Sequence, residues 1–184
     1  ANEVHVRRPH RLADARHRCQ RQHVGGAVQL TGGGRSGNVV VPPTGVVEVR
    51  YTESAEIGLA GQRSSNVFHV RAAREVCVMA LTSGRASTDG MLAIPTAWLG
   101  TEYVIGAWRI AFSVADGDFR SAFTVAATTD ATSVTITPTF AVVRGPDMPG
   151  SGASLPAGVP FTVTLDARQA MMFRAYTGDG SPPV

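Results

Sequence analysis

The sequence predicts an all-β protein: an antiparallel β-sandwich or jelly-roll-like pair of sheets, with about 10–12 short strands and little or no helix. Three observations carry that expectation. Short β-branched and aromatic runs recur from residue 27 onward, separated by clusters of Gly, Pro, Asp and Ser. Several runs alternate between apolar and polar side chains, the period of a strand with one wet face and one buried face. No stretch carries a sustained 3.6-residue apolar period between helix caps.

In order, the runs are 27–30, 38–41, 45–52, 66–71, 75–82, 91–95, 102–109, 121–128, 132–137, 139–144, 160–165 and 170–176. In 45–52, Val47, Val49 and Tyr51 share one face, and Glu48 and Arg50 the other. Val134 and Ile136 alternate with Ser133, Thr135 and Thr137. Phe161, Val163 and Leu165 alternate with Thr162 and Thr164. The run from Val76 to Leu81 is apolar on both faces and reads as a central strand. Pro95 can open a single helical turn over 95–99, because a proline at the first helical position removes only an N–H that would lack a partner. Thr128 to Thr132 reads as a hairpin in which Asp130 bonds nearby backbone. The loop 145–159, rich in Pro, Gly and Ser, reads as an exposed excursion between strands.

Charge divides the chain. All 17 basic residues are arginine. Residues 1–24 hold six of them against two acids, a net of +4, and the remaining residues hold eleven against twelve acids, a net of −1. The pI near 9.4 therefore describes a leading segment rather than the folded part. A nucleic-acid-binding or membrane-surface role needs a basic face on the fold, and net charge gives no sign of one. No window is apolar for long enough to span a membrane as a helix. At 184 residues the chain suits one domain or two small lobes. The expected organisation is an Arg/His-rich arm over 1–24, read as a disordered or a non-native tail. A β-sandwich module over 25–176 follows, and then the start of a linker over 177–184.

Candidate chemistry is sparse. There is no G-x-S-x-G, H-E-x-x-H or P-loop motif, and the expectation is a non-enzyme without a cofactor. His5, His10, His17 and His23 with Cys19 match no compact metal-ligand spacing. His69, the one histidine of the folded part, sits on the polar parity of its strand and reads as a surface histidine. Asp116 and Asp118 flank Gly117, which a turn explains; the alternative is a weak Ca²⁺ site made of loop oxygens. Cys19 and Cys77 are compatible with one disulfide or with two separate thiols. Trp98 and Trp108 have two readings. Both fill the core or cap a sheet edge, or they form a platform on which a ligand, for example a pyranose ring, stacks. Exposure of an indole decides between them.

Three segments carry a family likeness: GMLAIPTAWLGTEYVIGAW (90–108), SAFTVAATTDATSVTITPT (121–139) and GVPFTVTLDARQAMMFRA (158–175). In their order and spacing, from Pro95 and Leu99-Gly100-Thr101-Glu102-Tyr103 through Phe123 to Ile136 and on to Gln169, they resemble the N-terminal domain of the IgGFc-binding protein family. SAEIGLAGQRSSNVFHVRAAREVCVMAL (54–81) resembles the same family upstream, so the similarity covers about residues 45–176. The opening strands expected before residue 25 are not recognisable, and Trp98 stands where the pattern has a small or polar residue. The resemblance implies an extracellular or cell-surface β module of a larger protein, acting in adhesion or as structure. Its expected partners are an unidentified protein or glycan and the neighbouring modules, with no nucleic acid. A carbohydrate-binding accessory module is the alternative. Read by themselves, Tyr103 and Phe123 are core aromatics, and Gly100 supplies a turn conformation that other residues avoid.

Overall fold

A computed structural model describes residues 2–7, 26–32, 35–51, 57–83, 88–106 and 121–176. Among the described residues the chain is all-β: fourteen strands and one 3-10 turn, arranged in small antiparallel sheets. It divides into two compact units, one made of 1–55 with 68–99 and the other of 56–67 with 100–184.

The first unit holds β1 (Asn2–Arg7), β2 (Gly26–Gly32), β3 (Arg35–Val41) and β4 (Val46–Tyr51), then β6 (His69–Ala72), β7 (Cys77–Ser83) and β8 (Thr88–Leu92). One sheet has the order β4-β1-β7-β8, the other β3-β2-β6. The strand expected to be central is so: β7 has β1 on one side and β8 on the other. Val28, Leu30 and Val41 are fully buried, and Val39, Val47, Val49, Val70, Ala72, Val76 and Val78 pack against them. These side chains come from both sheets, so the unit is a small sandwich with one core. Each fully buried Val or Leu contributes roughly 1.5–3 kcal/mol. Glu48 and Arg50 lie on the wet face of β4, as the alternation predicts, and pair with each other.

The arm drawn over 1–24 begins with a strand. Residues 2–7 alternate Val4 and Val6 with Glu3, His5 and Arg7, and their backbone pairs on both sides, Val4 with Val49 and with Ala80. Residues 8–24 lie outside the described residues, as does 177–184.

The second unit holds β5 (Arg63–Ser64), β9 (Ala122–Ala126), β10 (Thr132–Ile136), β11 (Val142–Val143), β12 (Ser154–Leu155), β13 (Phe161–Leu165) and β14 (Ala170–Arg174). β14 is flanked by β5 and β9, β10 pairs with β13, and β11 with β12. The alternation of β13 is realised fully: Phe161, Val163 and Leu165 are buried while Thr162 and Thr164 are exposed. Opposite, Thr135 and Thr162 share a hydroxyl contact of 2.9 Å on the wet face. Beneath it, Leu165, Met171 and Phe173 are fully buried, with Phe123, Val125, Val134 and Ile136 packed against the cluster. Phe173 stacks on Phe123 with ring centroids 5.1 Å apart and tilts against Phe161 at 5.9 Å. Phe123 is thus a core-packing aromatic.

Two expectations change here. The turn at 127–131 is not a hairpin: β9 and β10 belong to different sheets, and the turn carries the chain from one to the other. Asp130 bonds the Ala167 N–H, 37 residues away, and Asp166 returns a bond to the Ala131 N–H, each at 3.0 Å. Two connections are thereby braced by carboxylates that local sequence cannot pair. The loop 145–159 also contains structure. β12 lies inside it, and Asp147 ties it down by taking the Arg63 N–H on Oδ2 at 2.7 Å and Arg63 Nη1 on Oδ1 at 3.1 Å. Arg63 Nε donates in turn to the Thr164 carbonyl at 2.9 Å. Gly145 and Gly61 meet backbone to backbone, and a Cβ on Gly145 would run into the Ala60 carbonyl oxygen.

Candidate binding surface

After β8 the chain leaves the sheet. Pro95 sits extended (φ −54°, ψ 137°), and Thr96–Trp98 form the 3-10 turn. The Trp98 N–H donates to the Pro95 carbonyl at 2.9 Å and the Leu99 N–H to that of Thr96 at 3.3 Å. Leu99 returns to extended backbone, which ends the turn (φ −71°, ψ 138°). The single turn expected at 95–99 is therefore present. Proline fixes its entry, and no side chain caps it.

The turn presents rather than buries its aromatic. Trp98 is 71% exposed. Of the structural reading, core filler or sheet-edge cap, placement in the core is overturned for this residue. Met91, Leu92 and Ile94 on the approach are exposed as well. The sequence runs from Gly90 to Gly100 without one charged residue, so this is an uncharged apolar segment facing solvent. Isolated exposed apolar residues are ordinary on protein surfaces; a succession of them marks an interaction surface. In the second unit Tyr103 is also exposed, at 64%, rather than a core aromatic. Gly100 is not among the glycines at positive φ, and a Cβ there would meet nothing closer than 4.0 Å, so the turn role expected for it is not needed.

Sequence reasoning singled out Trp98 but missed Met91, Leu92 and Ile94, which read only as one strand run among twelve. No local signal set them apart: a run without polar alternation reads equally as a strand buried on both faces.

The other sequence candidates are not brought to this surface by the described residues. Trp108, Asp116, Asp118 and Cys19 lie outside them. Cys77 is half-buried at the start of β7, with its backbone opposite Arg7, and its pairing with Cys19 falls outside the described residues too. His69 is half-buried at the start of β6. Among the described residues no group of three or more His, Cys, Asp or Glu could hold a metal ion, and the buried residues are apolar.

A family model described as IgGFc binding protein matches residues 89–181, half of the chain. No curated protein and no solved structure gives a significant match. The matched span opens inside β8 and includes Trp98, Tyr103 and both braced connections of the second unit. The likeness drawn from sequence over 45–88 lies outside it.

Proposed function

Because this chain belongs to the IgGFc-binding protein family, we propose that it serves as a non-catalytic binding and adhesion module of a larger secreted or surface protein. The observation that carries this reading is the solvent-facing Trp98 on its proline-started turn, inside the span the family model matches. A large amphipathic ring held on a rigid turn loses little conformational freedom when it is covered by a partner. Among the described residues no helix is long and apolar enough to cross a membrane. The partner is a protein or a glycan. The family's name makes the Fc part of IgG one probe among several.

The test is a binding screen of the full 1–184 chain against arrayed glycans, mucins, matrix proteins and IgG Fc, with Trp98→Ala beside it. The chain is kept whole because β1 sits inside a sheet. The expected result is saturable binding to at least one class, weakened about tenfold or more by Trp98→Ala. Binding that Trp98→Ala leaves untouched removes the site, and the absence of binding to every probe removes the function. Binding that disappears with added salt belongs to the arginine-rich leading segment instead.

A carbohydrate-binding accessory module is the second reading. The same exposed indole favours it, since an open tryptophan face is what a pyranose ring stacks on. Binding confined to the glycan array selects it.

A further inference from the structure

Arg144 follows β11 directly, and its guanidinium is only partly accounted for. The Arg144 N–H donates to the Ala153 carbonyl at 3.0 Å, and Nη2 donates to that of Ser154 at 3.3 Å. Nε and Nη1 are buried and have no hydrogen-bond partner. No described carboxylate pairs with this side chain. Asp147, three residues on, has both oxygens engaged by Arg63. A guanidinium carries five N–H donors and stays charged at every physiological pH. Burying two of its nitrogens without acceptors is costly, and native proteins keep such an arrangement where an ion, a water or a functional role accounts for it.

The segment against the guanidinium is rich in glycine. Gly150 lies directly against it: a Cβ there would stand 3.1 Å from Nη2 and 3.4 Å from Cζ. Gly150 and Gly152 both have positive φ, at 84° and 98°, and a Cβ on Gly152 would meet nothing within 4 Å. Two such glycines around Ser151, with Pro149 before them, make a short strap whose backbone has more freedom than its neighbours. Its two ends are held, by Asp147 on Arg63 and by the β11–β12 pairing. Lifting residues 149–152 would uncover the guanidinium at Nη1 and Nη2 while the bond from the Arg144 N–H to the Ala153 carbonyl and the β11–β12 pairing stay in place.

We propose that Arg144 is a receptor for an oxyanion of the module's ligand, a carboxylate or a tetrahedral group such as a sulfate ester, admitted when the strap 149–152 lifts. The oxyanion brings the acceptors that the described residues do not, and the guanidinium meets it with charge-assisted, directional hydrogen bonds. The inference goes beyond the reading above and does not depend on Trp98.

The experiment follows the Arg144 Nε–Hε signal of the full chain by NMR, assigned by its loss in Arg144→Lys. The chain is titrated with sodium acetate, with sodium methyl sulfate and with sodium chloride, all at constant ionic strength. Concentrations are kept in the millimolar range, below those at which sulfate-like salts stabilise proteins generally. The expected result is a saturating shift with one oxyanion and none with chloride; the tighter of the two probes identifies the chemical source. In parallel, thermal stabilisation by that probe is lost in Arg144→Met and kept in Arg71→Gln, an exposed arginine of the other unit. The apparent affinity falls about tenfold or more in Arg144→Met. No shift, or an equal shift with chloride, overturns the proposal, as does an unchanged response in Arg144→Met. If Arg144→Met does not fold, the titration of the unaltered chain decides alone.

Discussion

Truncating Trp98 and truncating Phe173 should separate binding from stability. Trp98 is 71% exposed, leaving 29% of its surface covered. A tryptophan has about 250 Å² to bury, so Trp98→Ala uncovers about 70 Å². At about 25 cal/mol per Å² this is at most about 1.8 kcal/mol, an upper bound because the unfolded chain already covers part of that area. Phe173 is wholly buried between the rings of Phe123 and Phe161. Phe173→Ala loses its transfer energy and leaves a cavity, about 3–5 kcal/mol in total. Urea unfolding followed by far-UV circular dichroism measures both, with the transitions of the two units fitted separately. The expected outcome is a small midpoint change for Trp98→Ala with binding lost, and a large one for Phe173→Ala. A loss of about 3 kcal/mol or more in Trp98→Ala would refute the reasoning, since only a core tryptophan can lose that much.

Three further outcomes concern the second unit, with Gly37 of the first unit as a reference position. A double-mutant cycle on Arg63→Ala and Asp147→Ala should give a coupling on the order of 1 kcal/mol that shrinks in high salt. The guanidinium meets the carboxylate through Nη1 alone and the pair is partly solvated, so little more is expected. Gly145→Ala should cost about 1–3 kcal/mol because its new methyl meets the Ala60 carbonyl, whereas Gly37→Ala, with nothing within 4 Å, should change the melting temperature little. Val163→Ala should lower stability by about 2 kcal/mol and Thr162→Ala by no more than about 0.5 kcal/mol, as chemical denaturation would register.

Alternation made the faces legible. Val47 and Val49 inward, Phe161 to Leu165 in and out, and Val134 with Ile136 all lie as their parity demands, because burial acts on each strand separately. Pairing was not legible, because it joins residues whose separation local pattern does not encode. β10 finds β13 rather than β9, and Asp130 finds Ala167. β1 was hidden by composition: Val4 and Val6 carry a strand alternation that the arginines and histidines around them obscure. The loop 145–159 read as open because Gly, Pro and Ser signal turns. The arginine that fastens it, Arg63, lies 84 residues upstream. At the candidate surface, sequence could name Trp98 but not its exposure. An uncharged apolar run looks the same whether it faces a core or a partner.

The position of β14 bears on how the chain comes into being. This last strand supplies the backbone partner of Ser64, more than a hundred residues earlier, and of β9, and it brings Phe173 to the middle of the second core. During synthesis residues 63–169 are all made before that core has its central strand. Until then Phe123, Val125 and Leu165 lack the surface they pack on. Closing such distant ends is slow, and the waiting intermediate exposes unpaired strand edges. How soon residues 170–174 follow β9, as well as stability once folded, therefore bears on how much of the second unit reaches its native form.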